Sequence, residues 1–296
     1  MKIVVTGSLG HISRPLTNEL VQKGHAVTVI SSRPERQKDI EALGATAAIG
    51  SIEDVDFLTA TFTGAEVVYC MIPPAHDLEA DRIAQYRKVA GSYAQAIQQA
   101  GVKRAIHLSS YGAHLHKGTG IILGAHYAEE ILNALPGTAI THMRPAYFYY
   151  NLLNYIGMIK AQGVIELNYG GADSIAMVAP ADIAAAIAEE IETPAAGNKV
   201  RYVASDELTG NEIAAILGAA IGKPDLKWIV ISDEQMQRRF EASGMPPQLA
   251  TSFVEMFSSL HSGALSQDYY RHKPPVMGKV KLADYAKVFA AAFNQK

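Results

Sequence analysis

The sequence predicts an α/β fold, a doubly wound parallel sheet followed by a second, smaller α/β unit. Short β-branched runs alternate with helix-period segments at the spacing of strand–helix–strand units. The runs are continuously apolar, as strands covered on both faces must be. A length of 296 residues with 49% hydrophobic and 19% charged side chains allows a large core and excludes a disordered or collagenous chain.

The elements follow in order. Strands are expected at 2–6, 26–30, 45–49, 66–70, 104–108 and 139–144. A helix over about 11–23 stops at Gly24, and another over about 78–99 stops at Gly101, with Ile83, Tyr86, Ala90, Tyr93 and Ile97 at helical spacing. After about Asn151 helical signals dominate. Pro180 opens an Ala-rich helix to about Glu192, and a strand over 199–203 follows. Thr209 with Glu212 and Ser232 with Gln235 have the spacing of capping boxes. A strand over 226–231 lies between the helices they start, and two more helices occupy about 247–261 and 281–293. The expected division is 1–150, a dinucleotide-binding Rossmann domain with a returning segment near 173–203, and 151–296, a smaller substrate-side domain.

Partners are bounded by charge and cysteine. The longest apolar runs, such as 26–30 and 67–72, fall far short of the ~20 residues that cross a bilayer. Met1-Lys2 runs too soon into Thr6-Gly7 for a signal peptide. A single Cys70 forms neither an intrachain disulfide nor a thiolate cluster, which fits a reducing, cytoplasmic compartment. A net charge of −3 without a basic block argues against nucleic acid and for a small-molecule partner. His107, His114 and His116 lack a carboxylate in ligand register, so no metal site is expected.

Directly after the first strand stands Thr6-Gly7-Ser8-Leu9-Gly10-His11-Ile12-Ser13. Such a turn lets backbone approach a pyrophosphate at a helix N-terminus, with Gly7 making the tight turn and Gly10 the close approach. Ser13 stands where a third glycine is usual. The second strand ends Ser31-Ser32-Arg33-Pro34 with no carboxylate before Glu35. A guanidinium there pairs bidentately with a 2′-phosphate and the Ser32 hydroxyl adds a bond, so NADP(H) is favoured over NAD(H). In an open α/β sheet the ligand lies beyond the carboxyl ends of the strands. That places Gly7, Ser8, Leu9, Gly10, His11 and Ile12, Ser32 and Arg33, Met71, Ile72 and Pro73, Ser109, and Pro145, Tyr147 and Phe148 around one cofactor.

These residues resemble the NmrA-like group of atypical short-chain dehydrogenases/reductases, which includes NADPH-dependent quinone and triphenylmethane reductases. The likeness covers nearly the whole chain. Thr6-Gly7-x-x-Gly10, Ser32-Arg33-Pro34, Ala100-Gly101-Val102-Lys103, His107-Leu108-Ser109-Ser110 and Met143-Arg144-Pro145-x-x-Phe148-x-x-Asn151 carry it. Pro180-x-Asp182-Ile183-Ala184 and Leu208-Thr209-x-x-Glu212-Ile213-Ala214 extend it. The resemblance implies that the nicotinamide half of the cofactor meets the substrate cleft at 143–151, with Asn151, Tyr111 and Tyr127 on the substrate side.

The wider superfamily pairs a catalytic Tyr with a Lys four residues on. Here Tyr127 is followed by Ile131, and no lysine stands between Lys117 and Lys160. The group often carries a Lys at the start of this helix, with Glu four and Leu seven residues later. The equivalent is Ala125, with Glu129 and Leu132, or His126, with Glu130. His126 is taken as a candidate catalytic donor because an imidazole can still donate a proton or hydrogen bond. Tyr111 is the other. The run Tyr147-Phe148-Tyr149-Tyr150 offers rings to wall a planar ligand, half of them expected in the core, and 268–273 reads as a solvated connector, with closure over the cleft from the C-terminal domain as the alternative. The expected function is reduction of a quinone-like or aromatic substrate by NADPH. The alternative is an NADP-sensing regulatory protein without turnover.

Overall fold

The computed structural model describes residues 1–74, 77 and 81–295. Its first half alternates β1 (Lys2–Val5), α1 (Ser13–Gln22), β2 (Ala26–Ser31), α2 (Gln37–Glu41), β3 (Thr46–Ile49), α3 (Val55–Phe62), β4 (Val67–Cys70), α4 (Arg82–Ala100), β5 (Arg104–Leu108), α5 (Leu123–Asn133) and β6 (Ala139–Pro145). The second half runs β7 (Tyr147–Phe148), α6 (Ile156–Gln162), β8 (Val164–Leu167), β9 (Ser174–Val178), α7 (Pro180–Glu192), β10 (Lys199–Val203), β11 (Asp206–Thr209), α8 (Gly210–Ala220), β12 (Lys227–Val230), α9 (Asp233–Ala242), α10 (Pro247–His261), α11 (Gln267–Arg271) and α12 (Leu282–Phe293).

Seven strands form one parallel sheet in the order β3-β2-β1-β4-β5-β6-β10. The order reverses between β1 and β4, so a crevice opens beyond their carboxyl ends. Side chains alternate across the sheet as strand geometry requires. Ile3 and Val5 pack with Leu16 and Leu20 of α1 and Ile183 and Ile187 of α7. Val4 faces the other way, among Leu58, Val89, Ile97 and Leu132 of α3, α4 and α5.

All six early strands lie within a residue of their expected bounds. Of the helix expected over 78–99, residues 78–80 lie outside the described residues. α4 is capped by the Asp81 carboxylate, which accepts from the Ala84 amide at 2.9 Å, and it ends on Gly101 at φ +68°. Both capping boxes form. The second half holds more strand than its helical pattern suggests. β7, β9 and β11 make a small mixed sheet, and β8 pairs with β12. β12 lies inside the strand expected over 226–231, but the other four are two to five residues long and paired with distant segments, so local pattern carries little of them. Of the segment expected to return near 173–203, α7 and β10 join the layers of the large sheet, while β9 belongs to the small one.

β10 is anchored at its start. Glu190 of α7, 2% exposed, takes the Lys199 ammonium at 2.7 Å, Arg201 and Arg104 guanidinium nitrogens at 3.4 Å, and the Thr141 hydroxyl at 3.1 Å. Among the described residues no helix is long and apolar enough to cross a membrane, and no group of three or more His, Cys, Asp or Glu is placed to hold a metal.

Candidate functional site

The site is built on the glycine turn. Gly7 has φ +88°, and a Cβ there would stand 2.6 Å from Ser13 Oγ and 2.7 Å from Met71 Cγ. Only glycine meets both demands. Ser8 follows at φ +53°, the one non-glycine residue with positive φ among those described. Its strain is held from several sides. The Ser8 amide donates to Ile30 O at 3.1 Å, its hydroxyl donates to Ser31 Oγ at 2.9 Å, and the Gly10 amide closes the turn on Gly7 O at 3.1 Å. Ser31 Oγ in turn accepts from the Arg33 amide at 3.2 Å. The end of β2, with Ser32 and Arg33 exposed, is thereby tied to the turn. Ser13 uses its hydroxyl to grip Thr6 O at 2.9 Å, which locks α1 onto β1 in place of a third glycine. α1 has no side-chain cap; the Arg14 amide donates to Gly10 O at 3.0 Å, the Leu16 amide donates to Ile12 O at 3.1 Å and Pro15 has no amide hydrogen, which leaves the Ile12 and Ser13 amides as the donors at its start.

Around this turn the structure gathers most of the expected residues. The Met71 amide donates to Thr6 Oγ1 at 2.8 Å, and the Met71 carbonyl accepts from Tyr93 OH at 2.7 Å. Pro73 O accepts from Gln85 Nε2 at 3.2 Å, so α4 holds the segment after β4 in place. Ile72, Leu9 and Ile12 turn their side chains into or onto the core, which limits them to backbone and packing roles. His11 stacks on Tyr150 with centroids 4.7 Å apart, and Tyr150 lies 5.0 Å from Phe148. This aromatic series joins the glycine turn to the 149–155 turn that carries Asn151. Tyr150 was visible only as one ring in an aromatic run. Tyr147 sends its hydroxyl away from the crevice to Tyr155 OH at 2.7 Å, which also meets Tyr169 OH at 2.7 Å. Pro145 is buried, and its carbonyl accepts from the Tyr111 amide at 3.2 Å.

A buried ionic network lies behind Ser109. The Ser109 hydroxyl donates to Glu129 Oε1 at 2.5 Å, and Arg144 grips both oxygens of Glu129, Nε at 2.9 Å and Nη2 at 2.5 Å. Arg144 Nη1 also reaches Asp268 Oδ2 at 3.0 Å and Tyr202 OH at 3.1 Å. Burial alone would raise the Glu129 carboxyl, but the Arg144 bonds and the His142 and Ser109 interactions outweigh it and hold it below the usual carboxylate range. Sequence pattern offered Glu129 only as part of an alternative register. The segment 268–273 is no solvated connector over its first two residues: Asp268 closes this network and Tyr269 is fully buried, because α11 docks on β10 and the loop after β5.

The candidate donors are less open than the sequence suggested. Tyr111 is 7% exposed, packed edge-on against Tyr202 and Tyr269, its hydroxyl toward Ser266 without a well-formed hydrogen bond. Burial pushes that phenol above its ordinary range. On α5 the inward face carries Ala125, Ala128, Glu129 and Leu132. His126 sits one position round, its Nδ1 on Ala113 O at 2.9 Å and its Nε2 3.5 Å from Glu130. Tyr127 lies under the Arg87 guanidinium at 3.7 Å. His114, which the sequence suggested only as a metal candidate, lies within electrostatic reach of Asp268, Arg144 and Glu129, and burial lowers its pKa.

A parallel seven-strand sheet whose first crossover is a strained glycine turn at the switch point defines a Rossmann-type α/β protein. The chain belongs to the NmrA-like family, whose model matches residues 1–273. No curated protein sequence matches it. Among solved structures it is similar to triphenylmethane reductase from Citrobacter sp., at 18% identity over 98% of this chain and 100% of that one, with a TM-score of 0.80. It is also similar to an NADPH-dependent quinone oxidoreductase from Escherichia coli, at 23% identity over 97% and 98%, with a TM-score of 0.78. A nucleoside-diphosphate-sugar epimerase from Staphylococcus aureus shares the fold at 19% identity over 97% and 100%, with a TM-score of 0.77. The two reductases have also been crystallised with NADP(H) and with NADPH respectively.

Proposed function

We propose that the chain is an NADP(H)-dependent reductase of a planar, conjugated acceptor such as a quinone or an aromatic dye. The observation that carries this is the cradle at Gly7, which a Cβ would fill, tied through Ser8 and Ser31 to the strand end that bears Arg33. The Gly7–Ile12 backbone and the Ser13 amide at the start of α1 would hold the diphosphate, and Arg33 with Ser32 the 2′-phosphate. Met71, Pro73, Ser109 and Phe148 would wall the nicotinamide half. NADPH supplies a hydride when bound.

What the chain supplies is orientation and an apolar cleft with little acid strength. Glu129 is clamped as a carboxylate, so neither it nor the serine that donates to it is a ready proton source. Tyr111 is covered, and His126 is left as the candidate donor beside solvent water. Such a site suits acceptors that take a hydride with little acid assistance, and the quinone and dye reductases of the same fold support that choice. The test is oxidation of NADPH by a panel of quinones and triphenylmethane dyes, followed by absorbance of the reduced nicotinamide. Turnover is expected; a protein that binds neither NADPH nor NADP⁺ refutes the reading. A second reading, an NADP-sensing protein without turnover, is favoured by Ile131 standing where the superfamily's lysine would be. Tight NADP⁺ binding with no acceptor turned over would select it.

A further inference from the structure

Four elements meet at Arg144, namely α5 through Glu129, β6 itself, β10 through Tyr202 and α11 through Asp268, and Ser109, just past β5, joins them through Glu129. Ser109, Glu129 and Arg144 are each 6–8% exposed. A carboxylate gripped on both oxygens by a guanidinium is ionised and accepts only. The single proton of the Ser109 hydroxyl is therefore directed at Glu129, at 2.5 Å. What Ser109 turns toward any ligand is lone pairs.

Arg144 needs more than one anchor to hold Glu129 there. Its Nη1 is bonded to Asp268 Oδ2 at 3.0 Å, and Tyr202 donates to that same oxygen at 2.6 Å. Asp268 comes from a helix far along the chain, and its docking depends on two glycines in the loop after β5. A Cβ at Gly112 would overlap Leu265, and one at Gly120 would overlap the carbonyl of Ser252. The C-terminal segment thus reaches the end of β5 through three side chains in series.

We propose that Glu129, and Asp268 acting through Arg144, are positioning residues that hold Ser109 as a hydrogen-bond acceptor toward the bound nucleotide. This rests on the reading that the nucleotide lies along Ser109. The ligand group that meets Ser109 is then a donor, an amide N–H or a hydroxyl. Loosening Asp268 removes one of the two anchors of Arg144 Nη1, leaves Tyr202 OH as the other, and lets the Arg144–Glu129 pair and the serine rotor shift.

The test is a binding cycle with NADP⁺ on the full chain, read by titration calorimetry, with melting temperatures alongside. A wild type that does not bind NADP⁺ overturns the functional reading and this proposal with it. If the wild type binds, Ser109→Ala weakens NADP⁺ about tenfold, the size of one hydrogen bond. Unchanged affinity in that variant overturns this proposal alone. Asp268→Asn weakens NADP⁺ about fivefold in the native background and less than twofold in the Ser109→Ala background. An equal loss in both backgrounds means that Asp268 serves the fold and not Ser109, and overturns the proposal. Glu129→Gln behaves as Asp268→Asn does; where it fails to fold, the Asp268→Asn cycle decides. In steady state Asp268→Asn raises KM for NADPH and leaves KM for the acceptor unchanged, a split that a general loosening of the fold would not produce.

Discussion

Acid is expected to destabilise this protein through one buried pair. His107 and His142 face each other across β5 and β6, Nδ1 to Nδ1 at 3.0 Å, and both are essentially inaccessible. Asn133 Oδ1 takes His142 Nε2 at 3.1 Å and an Asn198 amide at 3.0 Å, so His142 carries its proton on Nε2 and accepts at Nδ1 from His107. A second proton has no good place. On His142 it would set two N–H groups against each other, and on His107 it would sit on an Nε2 with no partner. Burial, with the neighbouring imidazole, lowers His107 to about 3, and burial with Arg144 lowers His142 to about 4. Both lie below the ordinary 6.5, so the unfolded chain binds more protons as pH falls. The stability they contribute is complete above that value and drains below it. Between pH 7 and pH 5 the loss is about 2 kcal/mol for each imidazole and about 4 for the pair. The Glu129 and Asp268 carboxyls are held below the ordinary carboxylate range, so their titration falls below this window. His114 is also lowered and adds loss of the same sign. Urea unfolding at the two pH values measures the effect. His142→Gln, which can still donate toward Asn133, should lose about half of the pair's pH dependence. A wild type equally stable at both values, or a variant with the full dependence, refutes the argument.

Three further outcomes are expected. Gly7→Ala should abolish NADP⁺ binding and cost about 1–2 kcal/mol, since φ +88° and the contacts with Ser13 and Met71 both oppose a Cβ; calorimetry and urea unfolding check the two parts. Arg33→Ala should weaken NADPH about 10- to 100-fold, as for a lost charge-assisted bond, and NADH less than about twofold; equal losses would remove the 2′-phosphate assignment. Glu190→Ala leaves Arg104 without its buried carboxylate and should destabilise by about 3 kcal/mol. NADP⁺ affinity should hold, because Glu190 lies at the amino end of β10 and the site at the carboxyl ends.

How much was legible follows from the range of each interaction. The six early strands, the glycine turn and both capping boxes depend on neighbours within a few positions, and the sequence carries them whole. The short strands β7, β8, β9 and β11 are defined by partners far along the chain, and nothing local distinguishes them from loops. The same holds for the site. Gly7 is readable because a positive-φ turn imposes glycine directly, whereas the reading of Arg33 rests on its place at the end of β2, where its side chain is exposed. Glu129 reads as one register of two until α5 is packed, and Asp268 reads as a connector residue until α11 is seen on Arg144. Ser31 and Tyr150 become site residues only through what they touch.

By itself the sequence determined a parallel α/β sheet with a glycine turn at its first crossover, because periodicity, turn chemistry and apolar runs are local properties. Only the tertiary structure decided which ionisable groups are buried together, that Ser109 faces Glu129, and that Tyr111 lies beneath α11. Those outcomes depend on desolvation and on ion pairs between residues up to 124 positions apart, and neither exists before the chain is folded.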